Sequence, residues 1–252
     1  MTERHIYVAV PNHSGFLRGE TSDSLLTAQA EAYAEGWKFT QQRLTGGYHH
    51  MTRNAFLALF KEGVRKHGYT DMVWWDDDVC LAPGQFVNFV KHDVDFVCAP
   101  YRHKRDIESW PGEMADVGER KLHESASTKT PLFNAKFWVI GLSRQTAGCV
   151  DKILADPTIR WVNEEMLAND GGKMPFVFQD EWIGDGSEQN PWRPFTEDYV
   201  YCRRWIDLGG TVWIDPLMHT GHTGNKTWWG QFAVEMERQV REYRIAQQLE
   251  AA

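Results

Sequence analysis

The first 75 residues alternate between two hydrophobic periods, and that alternation limits the fold more than any other feature of the chain. Residues 6–10 and 72–75 are short apolar runs and 37–44 reads as a strand between them. The intervening segments 24–35 and 52–67 carry Leu25, Ala28, Ala32 and Ala55, Phe56, Leu59, Phe60, Val64 at helical spacing, with Gly36 and Gly68 placed as C-terminal stops. Strand, helix, strand, helix, strand in this order predicts a parallel sheet with right-handed crossovers, whose ligands lie beyond the C-terminal strand ends. The run Val73-Trp74-Trp75 ends at such a position, in Asp76-Asp77-Asp78.

Three adjacent carboxylates repel one another and invite a cation. On an extended stretch Asp76 and Asp78 face the same way and Asp77 the opposite way, so the outer pair is expected to hold one hard divalent ion, Mn²⁺ or Mg²⁺. Such an ion keeps positions for phosphate oxygens. An acidic turn that merely closes a strand is the plain alternative.

Further along, 83–90 reads as a short helix and 94–99 as a fourth strand. Residues 101–131 are polar and broken and are expected to form a loop over the site. Residues 136–142 read as a strand and 143–154 as a helix capped by Ser143. After a loop at 185–194, Thr196 is expected to cap a helix to Leu208, followed by a last strand at 211–214. A charged helix with Phe232, Met236, Val240 and Tyr243 at helical spacing occupies 229–249. The expected organisation is one α/β domain, residues 1–252, in three parts, 1–100, 101–227 and a C-terminal helix (228–252).

Composition narrows the class of partner. A net charge of -8 argues against a broad nucleic-acid footprint, although Arg102, His103, Lys104 and Arg105 form a local basic strip. No stretch approaches the roughly 18 apolar residues of a membrane-spanning helix. The N-terminus leads into a strand with no apolar signal segment, which makes a cytoplasmic location the default expectation. Cys80, Cys98, Cys149 and Cys202 are widely spaced and are expected to be reduced and buried. Twelve tryptophans exceed the needs of a core this size. Trp138, Trp182 and Trp192 are candidates for stacking on sugar rings or bases, with at least one of them expected in the core.

The acidic triplet, Glu197-Asp198 opening a helix, the stretch Gly210 to Asp215-Pro216, and His222-Thr223-Gly224 follow one another in an order that resembles the GT-A fold of DxD-containing, family-2-like nucleotide-sugar glycosyltransferases. The similarity runs from about Ile6 to Gly224. It implies a single Rossmann-like domain with a mostly parallel central sheet flanked by helices, residues 1–100 being the nucleotide-binding half and 101–227 the acceptor half. It also implies transfer of a sugar from a nucleotide-diphosphate donor, UDP-sugar first, to an acceptor hydroxyl. The acceptor can be a glycan, a lipid-linked sugar, a protein or a modified DNA base.

By the same resemblance Asp78, with Asp76 beside it, holds the metal and His222 is its third protein ligand, His219 being the substitute. Asp198 occupies the catalytic-base position, with Glu197 orienting the acceptor. Pro11, Asn12 and His13 after the first strand, Arg53 by a forked contact to the diphosphate, and Asp76 and Asp77 near the ribose and phosphates form the donor site. Two other readings stand beside it. A nucleotidyltransferase acting on a nucleoside triphosphate normally shows a Gly-rich basic signature near the first strand, which residues 10–15 lack. An inactive carbohydrate-binding module has the tryptophans as its support.

Overall fold

A computed structural model describes residues 3–13, 15–116, 118–164 and 172–250, with side chains of the last helix described to residue 242. The Tyr243 side chain therefore lies outside the described residues. In chain order the elements are β1 (His5–Asn12), α1 (Gly19–Ala34), β2 (Lys38–Thr45), α2 (His49–His67), β3 (Asp71–Trp75), β4 (Val79–Leu81), α3 (Phe86–Lys91) and β5 (Phe96–Cys98). Next come β6 (Gly112–Met114), β7 (Leu122–Glu124), β8 (Pro131–Trp138), β9 (Leu142–Thr146), α4 (Ala147–Leu154), β10 (Arg160–Asn163), β11 (Lys173–Phe176) and β12 (Glu181–Ile183). The chain closes with β13 (Arg193–Phe195), α5 (Glu197–Asp207), β14 (Val212–Ile214), β15 (His219–Thr223), β16 (Thr227–Gln231) and α6 (Phe232–Glu250).

The α/β architecture expected from the alternating periods is present. Among the described residues its central sheet has nine strands in the order β2-β1-β3-β9-β5-β14-β8-β6, with β7 also on β8. The sheet is mixed. Strands β2, β1 and β3 are mutually parallel, and β5 is parallel to β14. Because β9 runs antiparallel to both β3 and β5, these five strands share one direction, with β9 inserted in reverse. Strands β8, β6 and β7 extend the sheet by antiparallel pairing, so the polar stretch after Tyr101 adds two short strands to the sheet edge and is not simply a loop.

The continuous apolar runs have a direct cause. Alternate residues point to opposite faces of a strand, and both faces are covered by helices. Ile6, Val8, Val73 and Trp75 share one core with Leu25, Ala28 and Ala32 of α1 and Phe86 and Phe89 of α3. Tyr7, Ala9, Met72 and Trp74 share the other with Phe56 and Phe60 of α2, Val150 of α4 and Tyr201 of α5. Gly68 ends α2 in the left-handed region at φ 72°, its N–H donating to the Val64 carbonyl.

The strand expected at 136–142 and the helix expected from Ser143 are both displaced. Strand β8 stops at Trp138, and residues 142–146 form β9 at the centre of the sheet. Thr146, not Ser143, caps α4, its hydroxyl accepting from the Cys149 N–H. The reason is a central strand built from buried polar side chains, which hydropathy does not mark as a strand. Arg144 is only 1% exposed. Its guanidinium donates to the Val94 carbonyl at 2.6 Å, to the Val90 carbonyl at 2.9 Å and to the His92 carbonyl, and its Nε lies 3.5 Å from Asp71. Gln145 accepts from the Trp74 indole and the Tyr201 hydroxyl.

Arg144→Met keeps an unbranched apolar stem but strands these carbonyls without donors. It is expected to lower the unfolding free energy by roughly 3–5 kcal/mol, measured by urea denaturation. A loss under about 1 kcal/mol would show that β9 does not depend on this arginine.

Candidate active site

The acidic triplet leaves the sheet as a tight turn. Strand β3 stops at Trp75, the Val79 N–H donates back to the Asp76 carbonyl at 3.1 Å, and the Trp75 indole donates to the Val79 carbonyl at 2.8 Å. The two-residue alternation of an extended chain therefore does not apply, and the carboxylates of Asp76 and Asp78 go to different partners. This corrects the expectation that they face the same way. The Asp76 backbone N–H is fixed by the Gly141 carbonyl at 2.7 Å.

Asp76 meets Arg53. That arginine rises from the first turns of α2, is 3% exposed, and lies beside the rings of Trp74 and Phe178. Its Nη1 donates to Asp198 Oδ1 at 2.6 Å and its Nη2 to Asp76 Oδ1 at 3.1 Å. Both terminal nitrogens of Arg53 are thus directed at protein carboxylates, so the forked contact to a diphosphate expected of it is replaced by a bridge between β3 and α5. Burial acts to lower the Arg53 pKa, but Asp198 and Asp76 outweigh it and raise it.

Asp198 sits in the first turn of α5, where its second oxygen accepts from the Ile140 N–H at 3.3 Å. Burial pushes its carboxyl up to about 7 against the pull of Arg53, with the charges of Glu197 and Asp76 adding to the rise. Glu197 is half-buried beside it. Its backbone N–H donates to Asp180 at 3.0 Å, so Asp180 supplies the helix cap that the Thr196 side chain was expected to supply.

Asp78 meets the hairpin of β15 and β16. Strand β15 pairs with β4 so that His222 stands opposite Val79, and the Thr223 N–H donates to the Asp78 carbonyl at 2.7 Å. His222 Nε2 is 3.4 Å from Asp78 Oδ1, and Lys104 is ion-paired to Asp78 Oδ2. The His222 Nδ1 lies 2.7 Å from the Arg102 carbonyl, to which it can only donate, and its Nε2 is turned toward the Asp78 carboxylate. Burial works to raise the Asp78 pKa, yet hydrogen bonds from His222 and Lys104 prevail and hold it below its ordinary value. Asp77 is pushed up to about 6 by burial and by its acidic neighbours.

His219 is not part of this cluster. Three positions from His222 on the same strand, its side chain projects from the other face, where its ring packs 5.1 Å from that of Trp229. Among the described residues no three His, Cys, Asp or Glu side chains gather closely enough to hold a metal ion. Asp78 and His222 come together, while Asp76 is held by Arg53.

Pro11 and Asn12 are buried at the end of β1, and exposed His13 lies 3.2 Å from the Gly47 carbonyl. Trp138 is a core residue, whereas Trp182 and Trp192 are 69% and 59% exposed on the β12–β13 hairpin that leads into α5. Two further residues escaped the sequence reading. A Cβ on Gly141 would lie 2.1 Å from Asp76 Oδ2 and 2.3 Å from the Tyr101 hydroxyl, so only glycine lets these groups close in. Burial drives the Tyr101 hydroxyl well above its ordinary pKa, which keeps it a donor. The one sequence signal for either was the position of Gly141 inside a supposed strand.

No family model matches the chain, and no curated protein matches it in sequence. Among solved structures, A197 from STIV is similar over 91% of both chains, with 11% identity and a TM-score of 0.53, a likeness of fold. A glycosyltransferase involved in glycosylation of the major capsid of PBCV-1 aligns with 58% of this chain and 62% of its own, at 8% identity and a TM-score of 0.34. A protein from Bacillus anthracis provisionally assigned as glucose-1-phosphate thymidylyltransferase aligns with 94% of this chain and 93% of its own, at 11% identity and a TM-score of 0.42. The last two scores are too low to carry an argument, and the identities show no family.

A carboxyl with a folded pKa near 7 against an unfolded value near 3.9 binds its extra proton only in the folded state. The stability this confers is full below the unfolded value and is lost as pH rises through about 7. Relative to Asp198→Asn, which cannot titrate, the wild-type unfolding free energy is expected to fall by roughly 2–3 kcal/mol between about pH 5 and 8. Urea denaturation of both proteins across that range reads it, and parallel profiles would contradict it.

Proposed function

We propose that this chain is a metal-dependent glycosyltransferase that moves a sugar from a nucleotide-diphosphate donor, a UDP-sugar first, to an acceptor hydroxyl. The observation that carries the reading is convergence. The Asp76–Asp78 turn, Asp198 and His222 are far apart in sequence, yet Arg53 joins the first two and β15 lays the third against Asp78.

In this reading Asp198 is the general base. A carboxylate poised near neutrality can be ionised and still have appreciable proton affinity, and such assistance is typically worth about 10²–10⁴ in rate. It takes the proton of the acceptor hydroxyl as that oxygen attacks the anomeric carbon, a role that requires inversion. Arg53 holds the anionic oxygen in place, and Glu197 orients the acceptor. Pro11, Asn12 and His13 line the donor end of β1, and Asp77 lies toward the ribose.

The metal in this reading is a divalent cation, Mn²⁺ or Mg²⁺, supported by the donor types of two neighbouring side chains, with Lys104 on the second Asp78 oxygen in its absence. Asp78 offers a carboxylate oxygen and His222 an imidazole nitrogen whose partner N–H is directed at a backbone carbonyl, the arrangement that commonly orients a metal-bound histidine. Asp78 and His222 would hold the ion, with Asp76 on the same turn. When bound, it supplies neutralisation of the donor's phosphates as negative charge grows on the leaving group. No described helix is long and apolar enough to cross a membrane. The four thiols are free and buried, which supports a cytoplasmic setting.

Titration calorimetry with UDP tests this. Binding is expected with Mn²⁺ present and to be strongly weakened without it. His222→Ala is expected to reduce the Mn²⁺-dependent affinity about 10–100-fold. Equal UDP affinity with and without the metal would overturn the metal-dependent reading.

A further inference from the structure

The basic strip Arg102-His103-Lys104-Arg105 follows β5 and is fastened to the β15–β16 hairpin. Arg102 donates to the Trp229 carbonyl at 3.3 Å. From the hairpin, Lys226 pairs with Asp106, and the Trp228 indole donates to the same carboxylate at 3.2 Å. The His103 N–H closes the loop on the Ser109 carbonyl at 2.9 Å, and the Arg105 side chain donates to the Ser109 hydroxyl. Arg102, Arg105 and Lys226 are thereby turned to groups of the loop and the hairpin. Lys104 is turned instead to the acidic turn, onto Asp78 Oδ2.

The stem of Lys104 has a fixed path to that carboxylate. It passes the end of β15, where a Cβ added to Gly224 would lie 3.4 Å from Lys104 Cδ and 3.1 Å from the Trp228 ring. Two backbone bonds hold this corner, the Thr223 N–H on the Asp78 carbonyl and the Gly224 N–H on the Lys226 carbonyl, both at 2.7 Å. The Lys104 side chain is nevertheless 33% exposed, so its ammonium is open to a ligand. An ammonium carries three N–H donors, and Asp78 takes one. A diphosphate brought to this turn adds negative charge beside Asp76, Asp77 and Asp78 and needs a cation that can turn to it. Arg53 cannot, being 3% exposed with both terminal nitrogens on protein carboxylates.

We propose that Lys104 is the side chain that binds the diphosphate of the donor, the role that Arg53 cannot fill. An ammonium suits the position because it is a point charge on a flexible stem, able to direct its remaining N–H groups at phosphate oxygens while it stays beside Asp78. The same charge stabilises the diphosphate as negative charge grows on it during departure from the sugar. The inference rests on the transferase reading for the nucleotide and the sugar, while the contact between Lys104 and a diphosphate is independent of it.

The test is titration calorimetry of the full chain with UDP, inorganic pyrophosphate and uridine at a fixed Mg²⁺ concentration, uridine being read by displacement of UDP. Lys104→Met is expected to weaken UDP and pyrophosphate about 10–100-fold each and to leave uridine unchanged, which also shows that the variant is folded. Lys104→Arg keeps the charge and is expected to stay within about threefold of the wild type. Lys91→Met removes the same charge from α3, where it pairs with Glu35, and is expected to change nothing. UDP bound as tightly by Lys104→Met as by the wild type, or uridine lost in the same proportion as UDP, would overturn the proposal and leave the transferase reading standing. Pyrophosphate binding that needs Lys104, with UDP bound no more tightly than pyrophosphate, would support the contact and count against the nucleotide-sugar reading alone. A wild-type chain that binds neither UDP nor pyrophosphate would overturn both.

Discussion

The Arg53 guanidinium is the constraint on which the candidate site depends. It is one buried cation between two carboxylates from distant parts of the chain, Asp76 after β3 and Asp198 in α5. A charge buried this deeply is tolerable only because its partners are close and aligned, and removing either partner leaves an uncompensated ion in a low-dielectric interior. The bridge therefore ties α5 to α2 and to the turn after β3. It also leaves the pair of acids with one more negative charge than positive, and burial accounts for the raised Asp198 carboxyl.

Everything else in the site is hung from that frame by backbone contacts. The Gly141 carbonyl holds the Asp76 N–H, and the Ile140 N–H holds Asp198, so the turn between β8 and β9 touches both acids. On the far side of the acidic turn, β4 and β15 present His222 to Asp78 with the imidazole oriented by the Arg102 carbonyl. The turn thus divides its work: Asp76 belongs to the arginine bridge and Asp78 to the histidine pair.

The strand and helix pattern of the first 75 residues was readable because both faces of β1 and β3 are covered, so burial writes itself as unbroken apolar runs. Strand β9 was not readable, since Ser143, Arg144 and Gln145 are polar yet fully buried, and only their partners on distant strands make them sheet residues. Within the site, Asp76, Asp78, Asp198 and His222 stood out as chemical types at suggestive positions. Their grouping in one site was expected only from the family resemblance, and the split of Asp76 from Asp78 was not, because the direction of a carboxylate in a tight turn is set by its neighbours in space. Arg53 was noticed but sent to the wrong partner for the same reason. Gly141 showed only as a glycine inside a supposed strand and Tyr101 not at all, and their importance arises from a close approach that only the folded chain displays.

If Arg53 acts through Asp198, the two residues form one functional unit and their losses must overlap. The most direct measurement is a double-mutant cycle on UDP-sugar hydrolysis with Arg53→Lys, Asp198→Asn and the pair combined. The account predicts that the double variant is no slower than Asp198→Asn by more than about threefold. Losses that multiply, with the double variant reduced by the product of the two single effects, would contradict it.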